Sequence, residues 1–213
     1  MGFIRIVNEA FHEGGWGMWP ILMLSIFAVG LIIDRSVYLF RSAIDKKKFL
    51  GIMKQLVSEG NIAQAIKICS SSSKPLSRII QSGLMRSNRP ESEVKAAMDE
   101  AALRELPLIE KRTGYLAMIG NVATLAGLLG TIVGLIHSFG AVGGVDPSEK
   151  ATLLAKGISE AMNCTAFGLL VGILSLLSFS ILNGKTQTLI DDISETSANV
   201  QNLMFDSNAN TLG

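Results

Sequence analysis

The chain of 213 residues is 48% hydrophobic and 17% charged, with a mean hydropathy of +0.40 and a formal net charge of +1. Soluble domains average about 25% charged residues, so this composition indicates a membrane protein and does not favour nucleic acid as a partner. Cys69 and Cys164 are the only cysteines, which argues against a disulfide framework and gives no metal-ligand spacing. No nucleophile–base set, phosphate loop or metal cluster is recognisable, so we expect neither an enzyme nor a bound cofactor.

Three apolar segments are each long enough to cross a bilayer as a helix, which takes about 20 residues. They cover residues 16–40, 116–139 and 158–183. We interpret the first as a membrane span because its apolar core is too long for a signal peptide and no small-residue cleavage pattern follows it.

The distribution of Lys and Arg predicts the orientation of these spans. Most of the basic residues lie in residues 41–115, whereas residues 1–15 and 140–157 hold few. Because cytoplasmic loops are enriched in Lys and Arg, we expect residues 41–115 and the C-terminal residues 184–213 in the cytosol. The N-terminal segment 1–15 and the loop 140–157 then lie outside, in the periplasm.

The cytosolic segment has the periodicity of helices and not of a linker. Apolar residues recur at helical spacing from Phe49 to Val57, and Glu59-Gly60-Asn61 predicts a break before a helix that starts at Ile62. Residues 91–110 are again helical, with a kink expected at Pro107, and should continue into the second span. The third span should continue as an amphipathic cytosolic helix. The predicted fold is an all-α membrane protein with three transmembrane helices, of which spans two and three extend into a cytoplasmic helical bundle.

Small and weakly polar residues line one face of each of the last two spans. Helical spacing groups Thr124, Gly127, Thr131, Gly134 and Ser138 in the second span, and Ala161, Thr165, Gly168, Gly172 and Ser175 in the third. Gly130 and Gly134 also form a small-xxx-small pair. Such faces allow close packing of helices in lipid, or they line a central surface for another helix, water or an ion; the pattern alone leaves both open.

Ionisable residues are absent from the deep parts of the three spans, which contain no Asp, Glu, Lys or Arg. Asp34 lies next to Arg35 near the cytosolic end of the first span, where we expect an interfacial ion pair. His137 is interpreted as a packed interfacial residue, and Glu160 lies at the outer end of the third span. Since a proton path needs an ionisable carrier, a conducting assembly would have to take its carboxylate from a partner helix.

Two motifs in this order resemble those of the ExbB/TolQ/MotA proton-channel family. They are NVATLAGLLGTIVGLIHSF, from Asn121 to Phe139, and GISEAMNCTAFGLLVGI, from Gly157 to Ile173. The layout of three spans with a large cytosolic segment after the first is similar to the ExbB and TolQ branch. The chain departs from the family pattern at Leu174, where relatives often have a proline.

The resemblance implies a subunit of an ion-driven motor in the bacterial inner membrane. It implies a homopentameric ring around a pair of single-span partners of the ExbD/TolR type, whose membrane aspartate takes up and releases protons, or alternatively sodium ions. Residues that match Thr131 and Thr165 face the inner channel in the family, and Glu160 matches a glutamate at the outer mouth. The small residues Thr124, Gly127, Gly130, Gly134, Ala161, Gly168 and Gly172 would line that surface or pack the helices.

Two other classes of protein are compatible with parts of the pattern. A non-conducting scaffold that assembles and stabilises a single-span partner would also have small faces and acid-free spans. A solute transporter is disfavoured, because three spans are few and no inverted repeat or broken midplane helix is visible.

Overall fold

The computed structural model describes residues 15–211, and their side chains as far as Phe205. The predicted outer segment 1–15 therefore lies outside the described residues except for Gly15. Within the described range the chain is helical with no strand, which confirms the all-α prediction. Three of its helices are long and apolar enough to cross a membrane.

The helices follow the chain in a simple order. They are α1 (Met18–Ser42), α2 (Lys46–Ser58), α3 (Ile62–Ser70), α4 (Pro75–Leu84), α5 (Glu91–Glu110), α6 (Thr113–Ala141), a short 3-10 turn (Val142–Gly144) and α7 (Pro147–Thr211). The break at residues 59–61 is present as predicted. Helix α7 has 65 residues without interruption. The predicted cytosolic extension of the third span is therefore helical. The helix also includes the second half of the predicted outer loop 140–157.

The first of two compact units, here called the span unit, combines the described part of Met1–Asp34 with Arg112–Ile181. Its core consists of apolar side chains from α1, α6 and α7: Met18, Ile21, Ala123, Cys164 and Val171. Large apolar side chains elsewhere on these helices point outward; Phe27, Ile136 and Leu177 are each more than half exposed. Exposed apolar surface of this extent marks a membrane-facing or protein-binding surface, as expected of helices that cross a bilayer.

The second unit, here called the polar unit, combines Arg35–Lys111 with the described part of Leu182–Gly213. Apolar residues on one side of α2 are buried in it, as the periodicity predicted: Phe49, Met53 and Val57. The N-cap Asp45 accepts a hydrogen bond from the Lys48 amide at 3.3 Å. Such side-chain caps satisfy backbone donors that a helix leaves open at its start.

Helix α5 does not continue into α6, contrary to the sequence-based expectation. Pro107 lies within α5, which runs on to Glu110, so the proline does not end the helix. The chain breaks instead at Lys111 and Arg112, and Arg112 has the left-handed backbone φ of 70°. The predicted kink at Pro107 stays a prediction.

Two neighbouring residues of α1, Asp34 and Arg35, form hydrogen bonds with residues next to this break, each within its own unit. The Arg112 guanidinium donates to the Asp34 carboxylate at 3.4 Å, so the partner of Asp34 is Arg112. The buried Arg35 guanidinium donates to the Ile109 carbonyl and lies over the Tyr38 ring. Because the last four carbonyls of a helix lack intrahelical donors, Arg35 satisfies an acceptor that the end of α5 leaves open.

Candidate ion-pathway site

The small faces predicted for the second and third spans pack against each other. A Cβ added to Gly127 would lie 3.1 Å from the Cα of Gly168 and 3.2 Å from the Cα of Thr165. A Cβ on Gly168 would lie 2.7 Å from the Ala123 carbonyl oxygen. These distances leave no room for a side chain, so α6 and α7 contact each other through backbone.

The same seam extends toward both ends of the two spans. Gly134 lies against Ala161, since an added Cβ would be 3.0 Å from the Ala161 Cβ. Gly172 lies against the Thr124 hydroxyl and the Gly120 carbonyl. The structure therefore places most of the predicted small residues between two helices of one chain, where they permit close packing.

Thr165 is the residue of this seam whose side chain bonds to the other helix. Its hydroxyl donates to the carbonyl oxygen of Gly127 on α6 at 2.8 Å, and the side chain is half-buried. In an α-helix the carbonyl of residue 127 also accepts from the amide of residue 131. Thr165 is thereby held next to the backbone of Thr131, the other residue that the sequence motif singles out.

Thr131 and Thr124 use their hydroxyls differently. Thr131 donates to the Leu128 carbonyl at 2.6 Å, and Thr124 donates to the Gly120 carbonyl at 3.0 Å. Both bonds stay within α6. A hydroxyl oxygen that donates still has acceptor capacity, so a group that enters next to the half-buried Thr131 or Thr165 could donate to it.

Glu160 lies at the end of the seam next to Gly15. Its side chain is half-buried, and its carboxylate packs against Gly15, where an added Cβ would collide with it. Gly15 has φ of 63°, a conformation that glycine adopts without strain. His137 is exposed, and Ser138 is buried on the same helix, donating to the Gly134 carbonyl at 2.7 Å.

Cys164 is a site residue that sequence reasoning treated only as part of a span. Its side chain is buried, and its sulfur occupies the space that Gly130 leaves open on α6. Gly17 approaches the same sulfur, since an added Cβ would be 3.1 Å away. The two glycines are visible in the sequence, but nothing in their spacing connects them to Cys164, because Gly17 lies in the turn before α1, Gly130 in α6 and Cys164 in α7.

The arrangement defines a multi-pass membrane protein whose second and third spans form a close-packed, weakly polar seam. Residues 71–195 match the model of the MotA/TolQ/ExbB proton channel family. The chain belongs to this family, which confirms the resemblance of its two motifs.

Individual relatives agree with this assignment. The chain is 31% identical over 165 residues to biopolymer transport protein ExbB-like 3 of Synechocystis, covering 77% of this chain and 79% of the relative. It is 28% identical over 195 residues to an ExbB homolog of Methanothermobacter thermautotrophicus, covering 91% of this chain and 68% of the relative. It is 33% identical over 124 residues to the Tol-Pal system protein TolQ of Haemophilus influenzae, covering 56% of this chain and 52% of the relative.

Proposed function

We propose that this chain is the ring-forming subunit of a motor that couples ion flow across an energised cytoplasmic membrane to mechanical work on the cell envelope. The observation that carries the proposal is the Thr165–Gly127 hydrogen bond, which holds the Thr165 hydroxyl against the backbone of α6 where the deep parts of the spans contain no Asp or Glu. Family membership supports the ion-conducting part of the proposal. Outer-membrane transport, envelope integrity and surface motility are the kinds of work that such a motor drives.

The assembly proposed is a ring, by family resemblance a homopentamer, around single-span partners of the ExbD/TolR type. The described spans supply hydroxyls and backbone carbonyls but no carboxylate at mid-depth, so the partner helix supplies the membrane aspartate. Thr131 and Thr165 would accept hydrogen bonds from that aspartate in its protonated form and from its water at each stop, while they donate to the Leu128 and Gly127 carbonyls. The acceptor capacity left on both hydroxyls supports this role.

The driving energy is electrostatic. Moving one elementary charge through 100 mV releases about 2.3 kcal/mol. Protons, or alternatively sodium ions, enter near Glu160 and neutralise the partner carboxylate, which then moves along the apolar parts of the ring. Repeated neutralisation and release displace the partner relative to the ring, and the polar unit provides the fixed body against which force acts.

The orientation follows the Lys and Arg distribution: the N-terminus and residues 140–157 outside, and residues 41–115 and 184–213 in the cytosol. The Trp16 side chain, 67% exposed, and the Trp19 side chain, 61% exposed, suit the outer interface. Aromatic residues of this kind are enriched at membrane–water boundaries.

The test is proton uptake by proteoliposomes that contain the chain with its partner. We expect uptake with the wild type and loss with Thr165→Val, which removes the hydroxyl at nearly constant volume. Thr188→Val is the matched control, because the Thr188 hydroxyl donates to Gly184 of its own exposed helix surface. Normal uptake by Thr165→Val would disprove the hydroxyl role.

A second candidate function is a non-conducting scaffold for a single-span partner. The close packing of Gly127 on Gly168 is compatible with it, because a rigid seam serves a scaffold as well as a motor. Proton uptake separates the two: an intact complex of chain and partner that takes up no protons under a membrane potential would establish the scaffold. The chain without its partner should conduct few protons in either case.

A further inference from the structure

A groove in the polar unit crosses the predicted boundary of the membrane. Its volume is about 280 Å³, and its walls come from the end of α1, the residues that follow it, and α7. Part of its lining belongs to the predicted spans 16–40 and 158–183, namely Ser36, Leu39, Phe40 and Leu182. The rest lies beyond the span ends and includes Ala43, Ile44, Lys185 and Leu189. The groove therefore runs from residues expected in lipid to residues expected in water.

Most of the groove is apolar, and a cation lies at its polar end. Leu39 and Leu182 are buried, whereas the Phe40 side chain is 75% exposed. The Lys185 ammonium lies 5.8 Å from the centroid of the Phe40 ring, which is within the range where a ring face attracts a cation. Long basic side chains at a membrane boundary lay their apolar stem along hydrocarbon and extend the charge to the headgroups.

Lys185 is also the cation of this groove that lacks a carboxylate partner. Within the part of the chain that the structure describes, its ammonium forms no hydrogen bond or ion pair. The other charged residue of the described lining is Asp192, whose carboxylate binds the Lys46 ammonium at 2.7 Å. Since an ammonium has three donors, Lys185 is available to an anionic oxygen that enters the groove.

We propose that this groove binds one anionic phospholipid of the cytosolic leaflet, with the headgroup phosphate at Lys185 and the start of an acyl chain against Phe40 and Leu182. Basic pockets between membrane helices on the cytoplasmic side are suited to anionic headgroups. An acidic peptide would match Lys185 but leave the apolar half of the groove uncovered, whereas a lipid matches both. The inference goes beyond the proposed function and does not depend on ion flow.

The experiment is site-specific lipid crosslinking. The full chain is reconstituted into vesicles of phosphatidylglycerol and phosphatidylcholine in equal amounts. A trace of one of the two lipids carries a diazirine in its acyl chain near the glycerol, in separate samples. After illumination, mass spectrometry locates the crosslinked peptides and gives the yield of each lipid at the groove.

The wild type should crosslink at residues 39–44 and 182–189, with a phosphatidylglycerol yield roughly two- to fivefold above that of phosphatidylcholine, the range of one exposed ion pair. Lys185→Gln should bring the ratio of the two yields close to one and leave the phosphatidylcholine yield unchanged, which also shows that the groove is intact. Lys185→Arg should keep the preference. Lys54→Gln is the matched control, because Lys54 is exposed on α2 and does not line the groove.

Four outcomes would overturn the proposal. They are equal yields of the two lipids at the wild-type groove, a preference that Lys185→Gln leaves unchanged, a preference that Lys54→Gln removes as well, and groove peptides that crosslink to neither lipid because protein covers them. A preference lost in inorganic phosphate but kept in chloride of the same ionic strength would identify a free-phosphate site and also reject the lipid. Since crosslinking and not proton uptake is measured, the lipid site and the motor can fail separately.

Discussion

The hydroxyl of Thr165 donates to the carbonyl oxygen of Gly127 at 2.8 Å, joining two membrane spans across 38 residues of sequence. The bond is possible because Gly127 has no side chain and its helix approaches within contact of the Thr165 backbone. One glycine therefore provides both the close approach and the carbonyl acceptor that the Thr165 hydroxyl reaches, so packing and polarity at this site depend on each other.

The seam between α6 and α7 should not tolerate added volume. We expect Gly168→Ala to destabilise the protein by about 1–3 kcal/mol, because its Cβ would meet the Gly127 backbone and overpacking costs free energy of this size. Thermal unfolding in detergent measures the effect. Gly184→Ala is the matched control: no atom lies near its added Cβ, and alanine in a helix interior is favoured over glycine. A Gly168→Ala variant as stable as Gly184→Ala would contradict the close packing.

The hydroxyl of Thr165 should contribute modestly to stability as well as to function. Interhelical hydrogen bonds in membranes are worth about 0.6 kcal/mol on average and about 1.7 at most. We therefore expect Thr165→Val to assemble with a small loss of unfolding free energy, whereas Thr165→Ser should keep the bond to Gly127. Proton uptake that is retained in the serine variant and lost in the valine variant would tie the function to the hydroxyl. Loss in both would point to the methyl group and to packing.

The buried Arg35 should be essential for the end of α5. Removing a charged donor from a buried carbonyl costs about 1.5–3 kcal/mol, and Arg35→Ala also loses the contact with the Tyr38 ring. We expect a marked fall in thermal stability, measured by circular dichroism. Arg41→Ala is the control, since Arg41 is exposed near the end of the same helix. Equal stability of the two variants would show that water satisfies the Ile109 carbonyl.

Lys46 should stabilise the polar unit in a salt-dependent way. Hydrogen bonds to Asp192 at 2.7 Å and to Glu195 at 2.9 Å raise the pKa of Lys46 above its usual range. Because the pKa of Lys46 is higher in the folded protein, its ion pairs contribute fully to the free energy of unfolding below the unfolded pKa of about 10.4. That contribution is lost as the pH rises through the folded-state pKa.

The stability difference between wild type and Lys46→Gln should accordingly be constant from about pH 7 to 9 and shrink only at strongly alkaline pH. It should also shrink at 1 M salt, where the screening length falls to about 3 Å. Lys47→Gln controls for general charge, because Lys47 is exposed and has no ion pair within the described residues. A stability difference between wild type and Lys46→Gln that grows from neutral to alkaline pH would contradict the ion pairing of Lys46 with Asp192 and Glu195.

Cys69 should be inert in the folded protein. Burial raises the pKa of its thiol to about 11, and its sulfur lies 4.0 Å from that of Met53. Because the thiolate is the reactive form, iodoacetamide at about pH 8 should modify Cys69 only after the polar unit unfolds. Mass spectrometry across a urea series measures this. Rapid labelling of Cys69 without urea would show that α2 and α3 do not protect it.

The sequence determined the local features of this protein because each depends on residues close together in the chain. Runs of apolar residues fixed the three spans, and helical periodicity assigned the buried side of α2 and the small faces of α6 and α7. The motifs around Thr131 and Thr165 were sufficient to indicate the family.

The tertiary structure decided what each of these features contacts. Periodicity shows that Gly127 and Thr165 lie on small faces, but their pairing depends on how two helices separated by a turn approach each other. The same holds for Arg35, whose acceptor exists only because α5 ends at Glu110, and for Glu160, which packs against Gly15 from the far end of the sequence. Helix formation depends on residues that are neighbours in sequence. Contacts between helices depend on how distant residues pack, and helical periodicity does not show which of those residues meet.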